Sequence, residues 1–206
     1  MLDVACGTGT LAIMMAQRGW DVRGIDISEG MIRQAVEKSK RSRLPVAFAR
    51  QDMRSFTLSE QVGLITCMFD AINHLRSTRD VLRCFRAAHR ALRPGGYFVF
   101  DVNNELCYRT VWRQTDVINE PDFTVILQNS YDAKRKGARS NVTMFIRDGE
   151  EFEKKTEVVL ERYYPPEQLE NLLGLSGFQV MESEDFNFVH DPLVGKIKTW
   201  WVVKKE

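Results

Sequence analysis

The sequence predicts an α/β fold: a doubly wound, mostly parallel sheet that carries an inserted antiparallel sheet in its second half. Three observations carry that reading. Over residues 2–102, short apolar runs alternate with stretches of helical periodicity, as strands and crossover helices do. A glycine turn, Cys6-Gly7-Thr8-Gly9, joins the first such run to the first helical stretch. From about residue 120 to residue 164 the periodicity becomes two, with Asp148-Gly149 as a hairpin dipeptide.

The elements follow in order. Residues 2–5 read as the end of a strand. The helix over 10–18 offers Leu11, Ile13, Met14, Met15 and Ala16 to a core and stops at Gly19. Residues 21–27 form the second strand, weakened at Gly24. Ser28 caps a helix to about Lys40, with Met31, Ile32, Ala35 and Val36 at inner-face spacing. Pro45 leads into a strand over 46–50. The apolar run 62–69 suits a central parallel strand covered on both faces. The next helix, 77–92, presents Val81, Leu82, Phe85, Ala88 and Leu92 on one face. Arg93-Pro94-Gly95-Gly96 stops it, because proline lacks an N–H and glycine accepts positive φ. Residues 97–102 make a fifth strand. Three antiparallel strands are expected at 122–132, 138–147 and 151–164. Pro165-Pro166-Glu167 then opens a helix ending at Gly174, and 179–185 and 197–204 are the final strands. The expectation is a single domain, 1–206, with its insertion at about 120–164.

Composition narrows the function classes. The 206 residues hold 29 Lys+Arg against 28 Asp+Glu, a net charge of +1, so nucleic acid is disfavoured as a partner. Hydrophobic residues make up 44% and charged residues 28%, a globular balance. No apolar stretch approaches the ~18 residues of a membrane helix, and the start lacks a basic, signal-like region. These features predict a soluble, cytoplasmic domain. Cys6, Cys67, Cys84 and Cys107 are far apart and read as buried thiols. His74, His89 and His190 are equally scattered, so no metal centre is expected.

The glycine turn alone is ambiguous. Gly7-Thr8-Gly9-Thr10-Leu11-Ala12 also satisfies a G-x-G-x-x-A dinucleotide fingerprint, with an acid following at Asp26. The company it keeps is more specific. Asp3-Val4-Ala5-Cys6-Gly7-Thr8-Gly9, Gly24-Ile25-Asp26-Ile27-Ser28, Gln51-Asp52-Met53 and Leu92-Arg93-Pro94-Gly95-Gly96 occur in order at matching strand ends. This set resembles the class I S-adenosylmethionine-dependent methyltransferases, closely over about residues 2–102 and more loosely through the last two strands. Ala5 departs from the pattern, since many members have glycine there.

The resemblance implies a Rossmann-like seven-stranded sheet and S-adenosyl-L-methionine as cofactor. It also implies more chain before Leu2, completing the first strand and covering the cofactor, so a truncated start and weak cofactor binding are expected. Chemistry agrees with the cofactor: a carboxylate such as Asp3 suits its cationic amino group and would repel a pyrophosphate. Ala5, Gly7, Thr8 and Gly9 form the close-approach turn. Asp26 can accept from both ribose hydroxyls, Ile27 and Met31 can flank adenine, and Asp52 can accept from its exocyclic amine beside Met53. Met68 and Phe69 should lie under the methionine part.

An acceptor must then sit after the fourth and fifth strands. His74 and Asn73 are the candidates for base or acceptor contact, with Asp70, Asn103, Asn104 and Tyr108 nearby in sequence. Tyr131, Phe145, Arg147, Arg162 and Tyr163 of the insertion are further substrate-side candidates. The expected activity is methyl transfer to an N or O atom of a small molecule, with the inserted sheet serving as lid or homodimer surface. Two other classes stay open: an NAD-dependent oxidoreductase, and a catalytically silent cofactor-binding module. An RNA methyltransferase is weakened by the neutral charge and by the lack of an Asn-Pro-Pro-Tyr-type sequence after the fourth strand.

Overall fold

A computed structural model describes residues 1–187 and 195–206. Among these residues the first half alternates β1 (Leu2–Val4), α1 (Thr10–Gln17), β2 (Arg23–Asp26), α2 (Glu29–Ser42), β3 (Ala47–Arg50), β4 (Val62–Cys67), α3 (Thr78–Ala91) and β5 (Leu92–Asn103). A 3-10 turn, Ala71–His74, follows β4. The second half runs α4 (Glu105–Thr110), β6 (Thr115–Glu120), β7 (Phe123–Asp132), β8 (Gly137–Asp148), β9 (Glu151–Arg162), α5 (Pro166–Gly174), β10 (Phe178–Phe186) and β11 (Lys198–Lys205).

Two sheets result. The larger has the order β10-β11-β5-β4-β1-β2-β3, and the smaller is β6-β7-β8-β9. In the larger sheet β1, β2, β3, β4 and β5 are parallel, while β11 pairs antiparallel with both β5 and β10. The smaller sheet is antiparallel throughout.

Local signals explain the helices. Ser28 Oγ accepts from Met31 N (3.3 Å) at the start of α2, with Glu29 in the first turn and Lys40 and Arg41 in the last. Ser77 caps α3 in the same way, accepting from Asp80 N (3.1 Å) while donating its hydroxyl proton to Asp80 Oδ2 (2.8 Å). α3 buries Val81, Cys84, Phe85 and Ala88 against the sheet. The Phe85 ring lies 5.4 Å from that of Phe100, which stacks on Trp201 of β11 at 6.1 Å. Leu169, Leu172 and Leu173 of α5 close the same core. On the other side Gly24 is the seat of an aromatic ring: a Cβ there would stand 2.6 Å from Phe48, and one at Gly9 would meet the same ring at 2.6 Å. The position that weakens β2 in sequence is therefore where β3 packs its one large ring.

The structure departs from the sequence reading in three places. The Arg93–Gly96 stretch lies within β5: Leu92 already pairs with Val62, and the register shifts before Tyr97 meets Leu64. α4 is additional, capped by Asn104 Oδ1 accepting from Cys107 N (3.2 Å). The insertion has a fourth strand, β6, whose Glu120 pairs with Phe123 around Pro121-Asp122, so the small sheet begins at Thr115 rather than near residue 120. β6 is short and almost wholly exposed, so it carries no buried alternation to reveal it.

All four cysteines are free thiols, and burial pushes those of Cys6, Cys84 and Cys107 up to about 12. His190 lies outside the described residues. Among the described residues, no helix is long and apolar enough to cross a membrane.

Phe85 touches both Phe98 and Phe100 and is fully buried. Phe85→Ala is expected to destabilise the fold by about 3–5 kcal/mol, read as a lower urea midpoint at unchanged m-value.

Candidate cofactor and acceptor site

The order of the larger sheet reverses between β1 and β4, since β2 and β3 lie to one side of β1 while β4 and β5 lie to the other. Ligands of open α/β sheets bind at such a switch point, outside the carboxyl ends of the strands. A cleft of about 840 Å³ opens there, and the residues that follow β1, β2, β3 and β4 line it.

The first wall is the turn after β1. Ala5, Gly7 and Gly9 all adopt positive φ, at 55°, 53° and 73°. Alanine at this φ carries a strain that glycine would not, so the Ala5 departure has a conformational consequence. A Cβ on Gly7 would meet nothing within 4 Å, and Ala5 and Gly7 both line the cleft. Thr8 and Gly9 do not line it; Gly9 serves the Phe48 contact instead.

Asp26 ties this turn to the next helix. Its Oδ2 accepts from Gly7 N (2.9 Å) and its Oδ1 from Ser28 N (2.8 Å). Each oxygen keeps a further acceptor direction for a ligand hydroxyl. Beside it Ile27 is 57% exposed and Met31 is 42% exposed, both on the cleft wall. Two exposed apolar side chains flanking an anchored carboxylate suit an adenosine, with the ring between the apolar groups and the ribose at the acid. Met53, Met68 and Phe69 extend that apolar lining.

Asp3 and Asp52 differ in their access to the cleft. Asp3 is 3% exposed, accepts from Thr66 Oγ1 (2.8 Å) and lies outside the cleft lining, beneath the turn. Burial pushes its carboxyl up to about 6. Asp52 does line the cleft, but its carboxylate is taken by its own neighbour. Oδ1 accepts from Arg54 N (2.8 Å) and Nε (3.0 Å), and Oδ2 accepts from the guanidinium as well. The Arg54 hydrogen bonds hold the Asp52 carboxyl below its usual range. An adenine amine would have to share or displace that pair.

The opposite wall is the turn after β4. Phe69 (φ 60°) and Asp70 (φ 51°) are both left-handed, and Phe69 is 64% exposed. Lys198 of β11 holds the turn: its Nζ donates to Asp70 Oδ1 (2.5 Å) and to Asp101 Oδ2 (2.7 Å), and Asp70 N donates to Asp101 Oδ2 (3.1 Å). Burial works against the Lys198 ammonium, but the Asp70 and Asp101 charges outweigh it and raise its pKa.

His74 and Asn73 separate by role. His74 lines the cleft and is about half exposed. Asn73 is fully buried, donating Nδ2–H to Arg162 O (2.9 Å) and accepting from Asn103 N (3.0 Å), so its amide is spent on backbone groups and does not reach the cleft. Of the insertion candidates, none lines the cleft. Tyr131 and Tyr163 pack on Tyr108, and Arg147 lies over the Phe152 ring.

Sequence reasoning missed Glu161. This buried acid near the end of β9 accepts at Oε2 from Tyr108 Oη (2.8 Å) and Asn103 Nδ2 (3.0 Å). Burial and then the Asp70 charge push its carboxyl up to about 8. The signal available was period-two alternation along β9, which puts Glu161 on the face opposite its neighbours Leu160 and Arg162. Chain spacing points to no metal centre, yet folding gathers Asp70, His74 and Glu161, with one atom of each within 4.8 Å of the others. The Lys198 ammonium supplies the positive charge at Asp70.

Comparison with known proteins agrees with this geometry. A family described as a methyltransferase domain matches residues 1–96. A putative methyltransferase of Bacillus subtilis, YqeM, is 31% identical over 182 residues, spanning 87% of this chain and 73% of that protein. A dTDP-3-amino-3,4,6-trideoxy-alpha-D-glucopyranose N,N-dimethyltransferase of Streptomyces venezuelae is 34% identical over 102 residues, 49% of this chain and 41% of that one. The crystal structure of an S-adenosylmethionine-dependent methyltransferase from Clostridium acetobutylicum superposes with a TM-score of 0.87 at 25% identity, covering 99% of this chain and 82% of that one. The chain belongs to the class I S-adenosylmethionine-dependent methyltransferases, and its cofactor is S-adenosyl-L-methionine.

The Asp3 carboxyl is raised on folding, so between its unfolded value and about 6 the folded state binds more protons than the unfolded one. Stability attributable to Asp3 is therefore lost as pH rises through that window and stays lost above it. The rise corresponds to about 3 kcal/mol. Asp3→Asn keeps an acceptor for Thr66. Its urea-unfolding free energy should match the wild type near about pH 4 and exceed it by up to about 3 kcal/mol above about pH 6.5. Parallel curves for the two proteins would place the cost elsewhere.

Proposed function

We propose that this enzyme methylates an N or O atom of a small-molecule acceptor bound over the mouth of the cleft, with His74 receiving the acceptor's proton. The observation that carries the reading is the position of His74: a half-exposed imidazole on the cleft wall, on the turn after β4, where the acceptor has to meet the methyl group. Bound S-adenosylmethionine supplies a methyl carbon made electrophilic by a sulfonium, with a neutral thioether as leaving group. The chain's own work is then positional, and orientation alone can contribute up to ~7–11 kcal/mol in favourable cases. Asp26 holds the ribose, Ile27 and Met31 flank the adenine, and Ala5 and Gly7 let the backbone approach. Asp3 sets the field beneath the amino group, Met53 extends the adenine wall, and Met68 and Phe69 lie under the methionine part.

A small-molecule acceptor is supported by the neutral charge and by likeness to a relative named for methylating an amino sugar nucleotide. The four free thiols suit a reducing compartment, and we read the enzyme as cytoplasmic. Val117, Ile118, Phe152 and Val158 leave apolar surface exposed on the inserted sheet, which supports a homodimer formed there.

Two measurements test this. Methyl-labelled S-adenosylmethionine is supplied with the small-molecule, RNA and protein fractions of a cell extract in separate reactions. Label is expected in the small-molecule fraction, to fall about 100-fold with His74→Ala, and label confined to RNA or protein overturns the reading. For the cofactor, Asp26→Ala is expected to weaken binding by about 1.5–3 kcal/mol in calorimetry; an unchanged affinity in the folded variant removes Asp26 from the ribose role.

A further inference from the structure

We infer that Glu161, brought behind His74 by the inserted sheet, is a positioning residue for that imidazole: as a carboxylate it accepts from Nε2–H and leaves Nδ1 as the nitrogen that takes the acceptor's proton. The inference deepens the function proposed above and rests on it for the role of His74.

The geometry starts with the carboxylate. Its Oε2 is held by two donors from different elements, Tyr108 Oη of α4 (2.8 Å) and Asn103 Nδ2 at the end of β5 (3.0 Å). Tyr108, Asn103 and Glu161 are all buried. Rotating the carboxylate would break two buried hydrogen bonds, each expensive to leave unmade. Oε1 is thereby fixed, and it lies 3.9 Å from Nε2 of His74. That distance is long for a hydrogen bond. It is also short enough for a small rotation of a half-exposed imidazole to close it, and catalytic contacts are often loose before substrate binds.

A neutral imidazole has one N–H and one lone pair, and the partner of one nitrogen decides which of them the other carries. A carboxylate oxygen opposite Nε2 favours the N–H there. Nδ1 then holds the lone pair. The proton leaving the acceptor's N or O atom goes to Nδ1, and the resulting imidazolium faces the carboxylate before it releases that proton to solvent. Asp26 and the glycine turn have no part in this, which separates it from cofactor binding.

The contact depends on pH through every charged or titratable group facing Glu161. Asp70 and His74 approach from the turn after β4, Tyr108 and Cys107 from α4, and Lys198 from β11. Burial and the Asp70 charge keep the carboxyl protonated up to about pH 8. Because Oε2 already receives two donors, the proton belongs on Oε1, where it donates to Nε2 and leaves the N–H on Nδ1. Ionisation reverses the arrangement, so the tautomer of His74 follows the ionisation of Glu161, and the tautomer that takes the acceptor's proton at Nδ1 belongs to the ionised carboxylate.

The test needs no acceptor. The full chain, labelled with 15N-histidine and saturated with S-adenosylhomocysteine, is followed by long-range proton–nitrogen NMR from about pH 6.5 to about pH 9.5, with His74→Asn assigning the signals. In the wild type the Nδ1 and Nε2 shifts of His74 are expected to cross around pH 8, one moving to the bare-nitrogen value as the other moves to the N–H value. Ring protonation brings both to the N–H side and produces no crossing, and in Glu161→Gln no crossing is expected. A wild-type course without that crossing overturns the inference, whether or not Glu161→Gln folds. Tyr108→Phe removes a hydrogen bond that favours the ionised carboxylate, so it should move the midpoint upward; an unmoved midpoint also counts against the contact. Full methyl transfer by His74→Asn would instead refute the proton-accepting role of His74 while leaving the NMR result to decide the Glu161 contact.

Discussion

A buried ammonium holds the working end of this fold together. Lys198 arrives on an antiparallel strand near the end of the chain and places its Nζ between Asp70 and Asp101. Without that cation, a buried carboxylate, Asp101, and a largely buried one, Asp70, would stand side by side, and an unpaired charge with little access to water is strongly destabilising. With it, the ends of β4, β5 and β11 are joined at one point. The left-handed pair Phe69 and Asp70 is held in a conformation that L side chains seldom adopt. The cleft wall is therefore fixed by a tertiary ion pair, because the local backbone would prefer another shape.

The same end of the molecule collects its other unfavourable features. Asp3 and Glu161 are both buried with raised carboxyl pKa values, and Ala5 adds a second strained turn. In the hydrophobic core below, Phe85, Phe98 and Phe100 pack on one another and Phe100 stacks on Trp201. Stability supplied by the core offsets strain and desolvation at the mouth. Where local rules are broken and the surrounding structure still enforces the arrangement, function is the usual reason.

How far the sequence could foretell this depends on the range of each interaction. The parallel strands are legible because each is a short apolar run and each helix has its own cap or stop, as Ser28 and Ser77 illustrate. The contacts of Asp26 are nearly legible, since Gly7 and Ser28, whose N–H groups it accepts, stand in recognisable motifs. Asp52 is not: its partner Arg54 lies two residues away, but nothing in the chain says that the side chain folds back on it. Asn73 and His74 are adjacent in sequence and opposite in fate, because a 3-10 turn sends one into the interior and the other to the cleft. Glu161 lies 87 residues beyond His74 in chain numbering. Only tertiary folding brings the two together.

That separation bears on what the inserted sheet is for. A cover could be attached by apolar packing alone and still exclude water. Here two successive residues of β9 reach the turn after β4 in different ways. The Arg162 carbonyl accepts from Asn73, and the Glu161 carboxylate faces His74 while accepting from Asn103 and Tyr108. Asn73 also accepts from the Asn103 N–H, so the insertion, the end of β5 and the turn form a closed loop of hydrogen bonds. A one-residue slip in the β9 register would reverse which side chain faces inward and remove both contacts at once. The long antiparallel register from Gly137–Arg162 to Asp148–Glu151 therefore acts at a distance. By fixing where β9 ends, it fixes what stands behind the imidazole.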